Sequence, residues 1–308
     1  MTAALALVGL GLIALPRIRH AALRRLPPAE AARTGIALLA GGLCALWVSL
    51  VLSATPTVLR GLRATGMAGI CEHAFGGLVL RSPALGWAAG LGATWIAGVV
   101  LVCSAKARRA RRRTHVEPWL GVHEDRGEFE VVVLPTATTL AISVPAPRPQ
   151  VVISAGLWDS LDAEERETVI AHEAAHLRLA HHRYLVVLNV VERVLGRLPF
   201  VASGLVDVRR QLEEWADDAA IRSRPASRRA LVSAITHVTT GPPGAPAFRA
   251  RHSSRIERLE RMVFPLGRAS RTLLYLPAMV LAISAVLLVM GWFTTSHHAI
   301  ALGAYCPD

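Results

Sequence analysis

The sequence predicts a mainly α-helical membrane protein: four transmembrane helices, with a cytoplasmic α+β domain inserted between spans three and four. Three observations predict it. Hydrophobic residues make up 53% of the 308-residue chain and the mean hydropathy is +0.41, more apolar than a soluble domain. Four charge-free apolar runs lie near residues 2–15, 35–54, 85–104 and 273–293, approaching or reaching the ~20 residues a spanning helix needs. Between the third and fourth runs lies the one long polar stretch, where strand-like and helix-like patterns alternate.

The first run has no basic segment before it, so it reads as a short span rather than a signal peptide, and it is expected to stop at Pro16. Arg17, Arg19, Arg24, Arg25 and Arg33 follow in a connection containing Pro27-Pro28. The second run is expected to end near Pro56, and a mixed loop with Cys71, Glu72 and His73 leads to the third. Immediately after the third comes Lys106-Ala-Arg-Arg-Ala-Arg-Arg-Arg113. Basic residues beside a span are retained on the cytoplasmic side and meet anionic lipid heads. Counting back from this block puts residues 17–33 inside as well, and the N-terminus outside. The formal charge of +12 is almost all arginine, Lys106 being the only lysine. It marks cytoplasmic loops, and no direct nucleic-acid binding is expected. The organisation is thus a membrane region over 1–105, a cytoplasmic domain over 106–270, and a fourth span with a short extracytoplasmic tail over 271–308.

Within the cytoplasmic domain, residues 128–135, 139–145 and 150–154 read as strands rich in β-branched residues. Ala155-Gly156 is expected to turn the chain, and Asp162-Ala-Glu-Glu165 is a capping box that starts a helix. The strand just before that helix has two readings: the sheet edge beside a cleft, where an extended substrate adds its own hydrogen bonds, or part of an ordinary small sheet covering the helix. The helix carries His172-Glu173-Ala-Ala-His176. Spacing of four puts both imidazoles on one face, where they can grip one metal ion while Glu173 borders the open position as a general base. The bland alternative is a pair of satisfied core histidines.

A catalytic zinc needs a third ligand. His182 lies ten residues after His172, but Leu179 occupies the place where a glycine would end the helix. The helix is therefore expected to continue, with His182 pointing away from the His172 and His176 face, and His181 and His182 then read as a polar helix end rather than as ligands. Residues 206–221 read as a second helix on which Glu213 and Asp217 share a face, one carboxylate to ligate and one to orient a histidine. Glu214 with Asp218 has the same spacing. The bland reading is a solvated acidic patch, although Ala216, Ala219 and Ala220 suit close helix packing.

His172-Glu-Ala-Ala-His176 followed by Glu213-Glu-Trp-Ala-Asp217-Asp resembles the BlaR/MecR family of integral membrane zinc metallopeptidases, whose pattern is H-E-x-x-H and then E-x-x-[AC]-D-[DE]. The resemblance extends to the layout of three spans, a cytoplasmic zincin-like peptidase domain and a fourth span. It implies one catalytic zinc on His172, His176 and Glu213, Glu173 as the catalytic base, Asp217 behind the ligands, and a BlaI-like transcriptional repressor as protein substrate. Only residues 294–308 follow the fourth run, so no extracellular penicillin-binding sensor domain is expected there. Cys71 and Cys306 would both lie outside, where a disulfide is permitted, while Cys44 and Cys103 fall in spans. No C-x-x-C suggests a thiolate site. Two alternatives remain open: an HtpX-type quality-control protease, and a non-catalytic membrane sensor or scaffold. Arg178, His181, His182 and Tyr184 lie near the motif, yet none has a pattern that marks it as the oxyanion partner.

Overall fold

The computed structural model describes residues 2–18, 26–62, 83–113 and 121–223, together with 230 and 233. The fourth apolar run, Cys71 and Cys306 lie outside the described residues.

Helix α1 spans Thr2–Ile18, α2 Pro28–Gly61 and α3 Pro83–Arg113. All three outrun the apolar runs that predicted them. Helix α1 does not stop at Pro16, nor α2 at Pro56; both prolines are helical and buried, a placement that packed apolar helices tolerate. Pro28 opens α2 with no donor to lose. The Arg block is helical too, since alanine and arginine both favour helix and a bilayer limits only the apolar part. Helices α2 and α3 are long and apolar enough to cross a membrane; the apolar segment of α1 is shorter.

Small residues let these helices approach closely. A Cβ at Gly42 would come within 2.5 Å of Ile13 Cγ1, and one at Gly9 within 2.8 Å of the Gly42 carbonyl. Trp47 Nε1 donates to the Ala93 carbonyl at 3.0 Å, joining α2 to α3.

The sheet comprises β1 (Val122–Asp125), β2 (Glu130–Leu134), β3 (Ala141–Val144) and β4 (Gln150–Ser154), in the order β1-β2-β4-β3. Strand β4 runs parallel to β2 and antiparallel to β3. The reading of β4 as the cleft edge is therefore wrong. All five of its residues are buried, as suits a continuous apolar strand bonded on both sides, and the edge belongs to β3. Nor do Ala155 and Gly156 turn the chain: they begin a short helix α4 (Ala155–Ser160), capped by the Ser154 hydroxyl accepting from Leu157 N. Helix α5 (Ala163–Arg178) begins with the expected capping box, Asp162 accepting from Glu165 N and Glu165 from Asp162 N. Its Val169, Ile170 and Ala174 pack on Val131, Val151 and Ile153 of the sheet.

Two more helices complete the described chain, α6 (His181–Leu195) and α7 (Pro199–Ser223). Their apolar faces do not close on the sheet. Leu188, Val191, Val201, Leu205 and Trp215 share one core with residues of α1, α2 and α3, among them Ile13, Ile36, Leu39 and Ile96. The helices that frame the functional residues and the apolar helices are thus one packed unit.

Candidate metal centre

Helix α5 ends at Arg178, where the longer helix was expected. Ala180 takes a left-handed conformation, φ 53°, which costs an alanine about 1–2 kcal/mol. The turn brings His181 back underneath the α5 imidazoles, where it is 1% exposed. Burial of that ring against His176, Tyr184 and Trp215 offsets the backbone strain. The helix thus ends without a glycine, Leu179 standing at its C-cap.

His172 and His176 face α7. Their Nε2 atoms are 3.1 Å apart, and the Glu213 carboxylate approaches them at 3.8 and 3.7 Å. Among the described residues this is the one group of three or more His, Cys, Asp or Glu side chains placed to hold a metal. Zinc bonded to nitrogen at about 2.0–2.1 Å in a tetrahedron would separate its donor atoms by roughly 3.3–3.4 Å. The observed separations bracket that edge, so the donors fit the ion with small side-chain adjustments. Glu213 is half exposed while Asp217 is 2% exposed, as expected for a ligand beside a cleft and a support behind it.

His172 Nδ1 lies 2.9 Å from Asp217 Oδ1; a proton held on Nδ1 beside that carboxylate would leave the Nε2 lone pair for the ion. His176 has a histidine on its Nδ1 side. Its Nδ1 meets His181 Nδ1 at 2.9 Å, and ligation through His176 Nε2 requires His176 to be the donor and His181 the acceptor. His181 must then carry its proton on Nε2. Burial, with His176 adding to it, pushes the His181 pKa down to about 3, so the ring is neutral and free to accept. His182 is not brought to the site. It is half-buried near Arg111 and Arg183, and burial with those two cations lowers its pKa.

Glu213, not Glu214, joins the two imidazoles in this group. Glu214 meets Arg210 Nη1 at 3.6 Å, and both are buried. Arg178 pairs with Glu128 at 3.3 Å, and Tyr184 packs on Trp215.

Residues 120–205 match the model of peptidase family M48. The M48 match indicates a metallopeptidase, of a family whose members use zinc, and does not single out BlaR/MecR. It covers both histidines and Glu173 and stops short of Glu213 and Asp217, whose placement comes from the geometry alone. No curated protein and no solved structure matches the chain.

Sequence reasoning missed His181 and Trp215. The signal available was the spacing of His181, five after His176: beyond one turn, it can face the ligand only if the helix breaks. Arg33 of α2 lies over the Trp215 ring, 4.6 Å from its centroid, so the contacts run from His176 through His181 and Trp215 to the start of α2.

Proposed function

We propose that this protein is a membrane-anchored zinc endopeptidase that performs regulatory proteolysis of a cytoplasmic protein, with a BlaI-like transcriptional repressor as substrate. The observation that carries the enzymatic part is the convergence of His172 Nε2, His176 Nε2 and the Glu213 carboxylate, with Asp217 behind His172. Zinc held there supplies Lewis-acid polarisation of a peptide carbonyl and acidifies water. Glu173, half-buried and next to His172 on α5, takes the proton of the attacking water and returns it to the leaving amine. Asp217 and His181 keep the two ligating imidazoles in the tautomer that leaves Nε2 unprotonated. Strand β3, at the sheet edge and packed beside α5, offers backbone groups to an extended segment of substrate.

The cytoplasmic orientation of the domain rests on the Arg-rich end of α3, and the four-span layout on the apolar run at 273–293. The choice of a repressor rests on the motif resemblance. A second reading, an HtpX-type quality-control protease, draws on the M48 match, which reaches the peptidase region without any regulator-specific feature.

The test is metal analysis with cleavage by wild type and Glu173→Gln. Stoichiometric zinc in both, with cleavage by the wild type alone, supports the enzyme; equal cleavage, or no zinc in either, leaves a sensor or scaffold. Substrates trapped on Glu173→Gln in cells then decide between readings: one repressor for regulation, assorted misfolded membrane proteins for quality control.

A further inference from the structure

The depth of the α6–α7 hairpin can be read against the apolar helices. Ile13 of α1 lies against Gly42 of α2, and Pro16, three residues further along α1, lies against Gly204 of α7. Val208 of α7 lies against Gly35 of α2, so close that a Cβ there would meet Val208 Cγ2 at 2.6 Å. Helix α7 therefore runs antiparallel to α2, with its first turns alongside the middle of α2. Over the seven residues from Val208 back to Val201 it advances about 10 Å past Gly35. Helix α2 carries no charged residue between Arg33 and Arg60, nor α3 between Pro83 and Lys106. Helix α6 enters the same interval from the other flank. Its start lies near Arg111, and its Leu188 and Val191 share the core with Cys103 and Ile96.

We propose that the α6–α7 hairpin is a re-entrant anchor whose tip, Leu198, Pro199 and Phe200, is seated among the acyl chains of the cytoplasmic leaflet. The proposal rests on the reading that α2 and α3 cross the membrane. Leu198 and Phe200 are 36% and 37% exposed and Val206 is 54% exposed, apolar surface that the bilayer would cover. The hairpin cannot cross. His181 and Glu213, at its two open ends, both face the one metal site, so it enters and leaves on one side. Arg193 and Arg197, exposed near the tip, set its depth: an arginine can bury its stem while its guanidinium reaches the phosphates, and this permits about two turns of immersion.

Spin labels on single cysteines test this in full-length protein in lipid nanodiscs, with the native cysteines replaced by serine. Labels at Leu198→Cys and Phe200→Cys are compared with Trp95→Cys, on the exposed apolar face of α3, and Asp159→Cys, exposed on α4. The expected result is relaxation at 198 and 200 dominated several-fold by oxygen over an aqueous nickel chelate, as at 95 and opposite to 159. Zinc content equal to wild type shows that each variant is folded. Nickel dominance at 198 and 200, with oxygen dominance at 95, overturns the anchor and leaves the spans standing. Exclusion of both agents at 198 and 200 also overturns it, because another protein then covers the tip. Nickel dominance at 95 as well sinks the membrane-crossing reading together with the anchor.

Discussion

The ring of His181 stands edge-on to that of His176, Nδ1 to Nδ1 at 2.9 Å with an interplanar angle of 80°. Within the candidate site the two α5 histidines thus meet different neighbours at Nδ1, His172 the Asp217 carboxylate and His176 the His181 imidazole. Removing an orienting group of this kind typically weakens metal binding about 10–100-fold. His181→Phe is expected to lose affinity in that range, whereas His181→Gln, whose amide oxygen can accept from His176, recovers part of it. Zinc competition against a chelator measures both. A loss of melting temperature without zinc, unaccompanied by any change in affinity, would mean that His181 serves packing alone.

The two adjacent glutamates of α7 separate by consequence. Glu213→Ala should abolish stable zinc binding. Glu214→Ala should retain zinc and lower the melting temperature, because Glu214 meets the buried Arg210 and its loss leaves that desolvated charge with one carboxylate fewer, Asp207 remaining at 3.6 Å. Metal analysis beside thermal unfolding checks the pair, and loss of zinc in Glu214→Ala but not in Glu213→Ala would reverse the assignment.

Strand β3 supplies a prediction about substrate. Ser154 N donates to the Leu140 carbonyl, and alternation along an antiparallel ladder then turns Ile142 and Val144 toward β4 and leaves the backbone of Ala141 and Ser143 facing outward. Proline is tolerated on an edge where the missing N–H faces out. Ser143→Pro should therefore keep the fold and the zinc but lower kcat/KM for peptides, by roughly tenfold if one hydrogen bond of about 1–1.5 kcal/mol is lost. Unchanged kcat/KM would show that substrate does not pair with this edge.

Ala180 tests the turn that returns His181 to the site. Ala180→Gly suits a φ of 53° and should be neutral or slightly stabilising, since relief of strain is set against added freedom in the unfolded chain. Ala180→Val places a β-branched residue in the left-handed region and should cost more than about 1 kcal/mol. Thermal unfolding of the two variants, with zinc affinity measured alongside, reports how far the turn holds His181 in place.

What the sequence made legible was local. The capping box at Asp162, the residues of β4 and the shared face of His172 and His176 each follow from spacing within a few residues. What it hid depends on partners far along the chain. Strand order is one case: β4 is apolar because β2 and β3 flank it, yet its sequence alone is equally compatible with an edge. Strand β1 is another, a run of Val-His-Glu-Asp whose pairing with β2 overrides its weak propensity. Pro16 and Pro56 read as helix ends because the stop rule assumes that a freed carbonyl is left to water, whereas both lie packed and buried in helices. His181 reads as a polar helix end because nothing in the sequence shows that Ala180 adopts a left-handed backbone.

Helix α7 has a mechanical corollary. It is a single unbroken rod that packs from Val201 to Trp215 on the core shared with α1, α2 and α3, and it carries Glu213 and Asp217 toward His172 and His176. Val201 and Glu213 are about 18 Å apart along the axis, so a tilt of α7 by about 3° about Val201 would displace the Glu213 carboxylate by about 1 Å, against a tolerance of about 0.5 Å for a working site. The packing of α7 on α1 and α2 and the spacing of these side chains are therefore not independent.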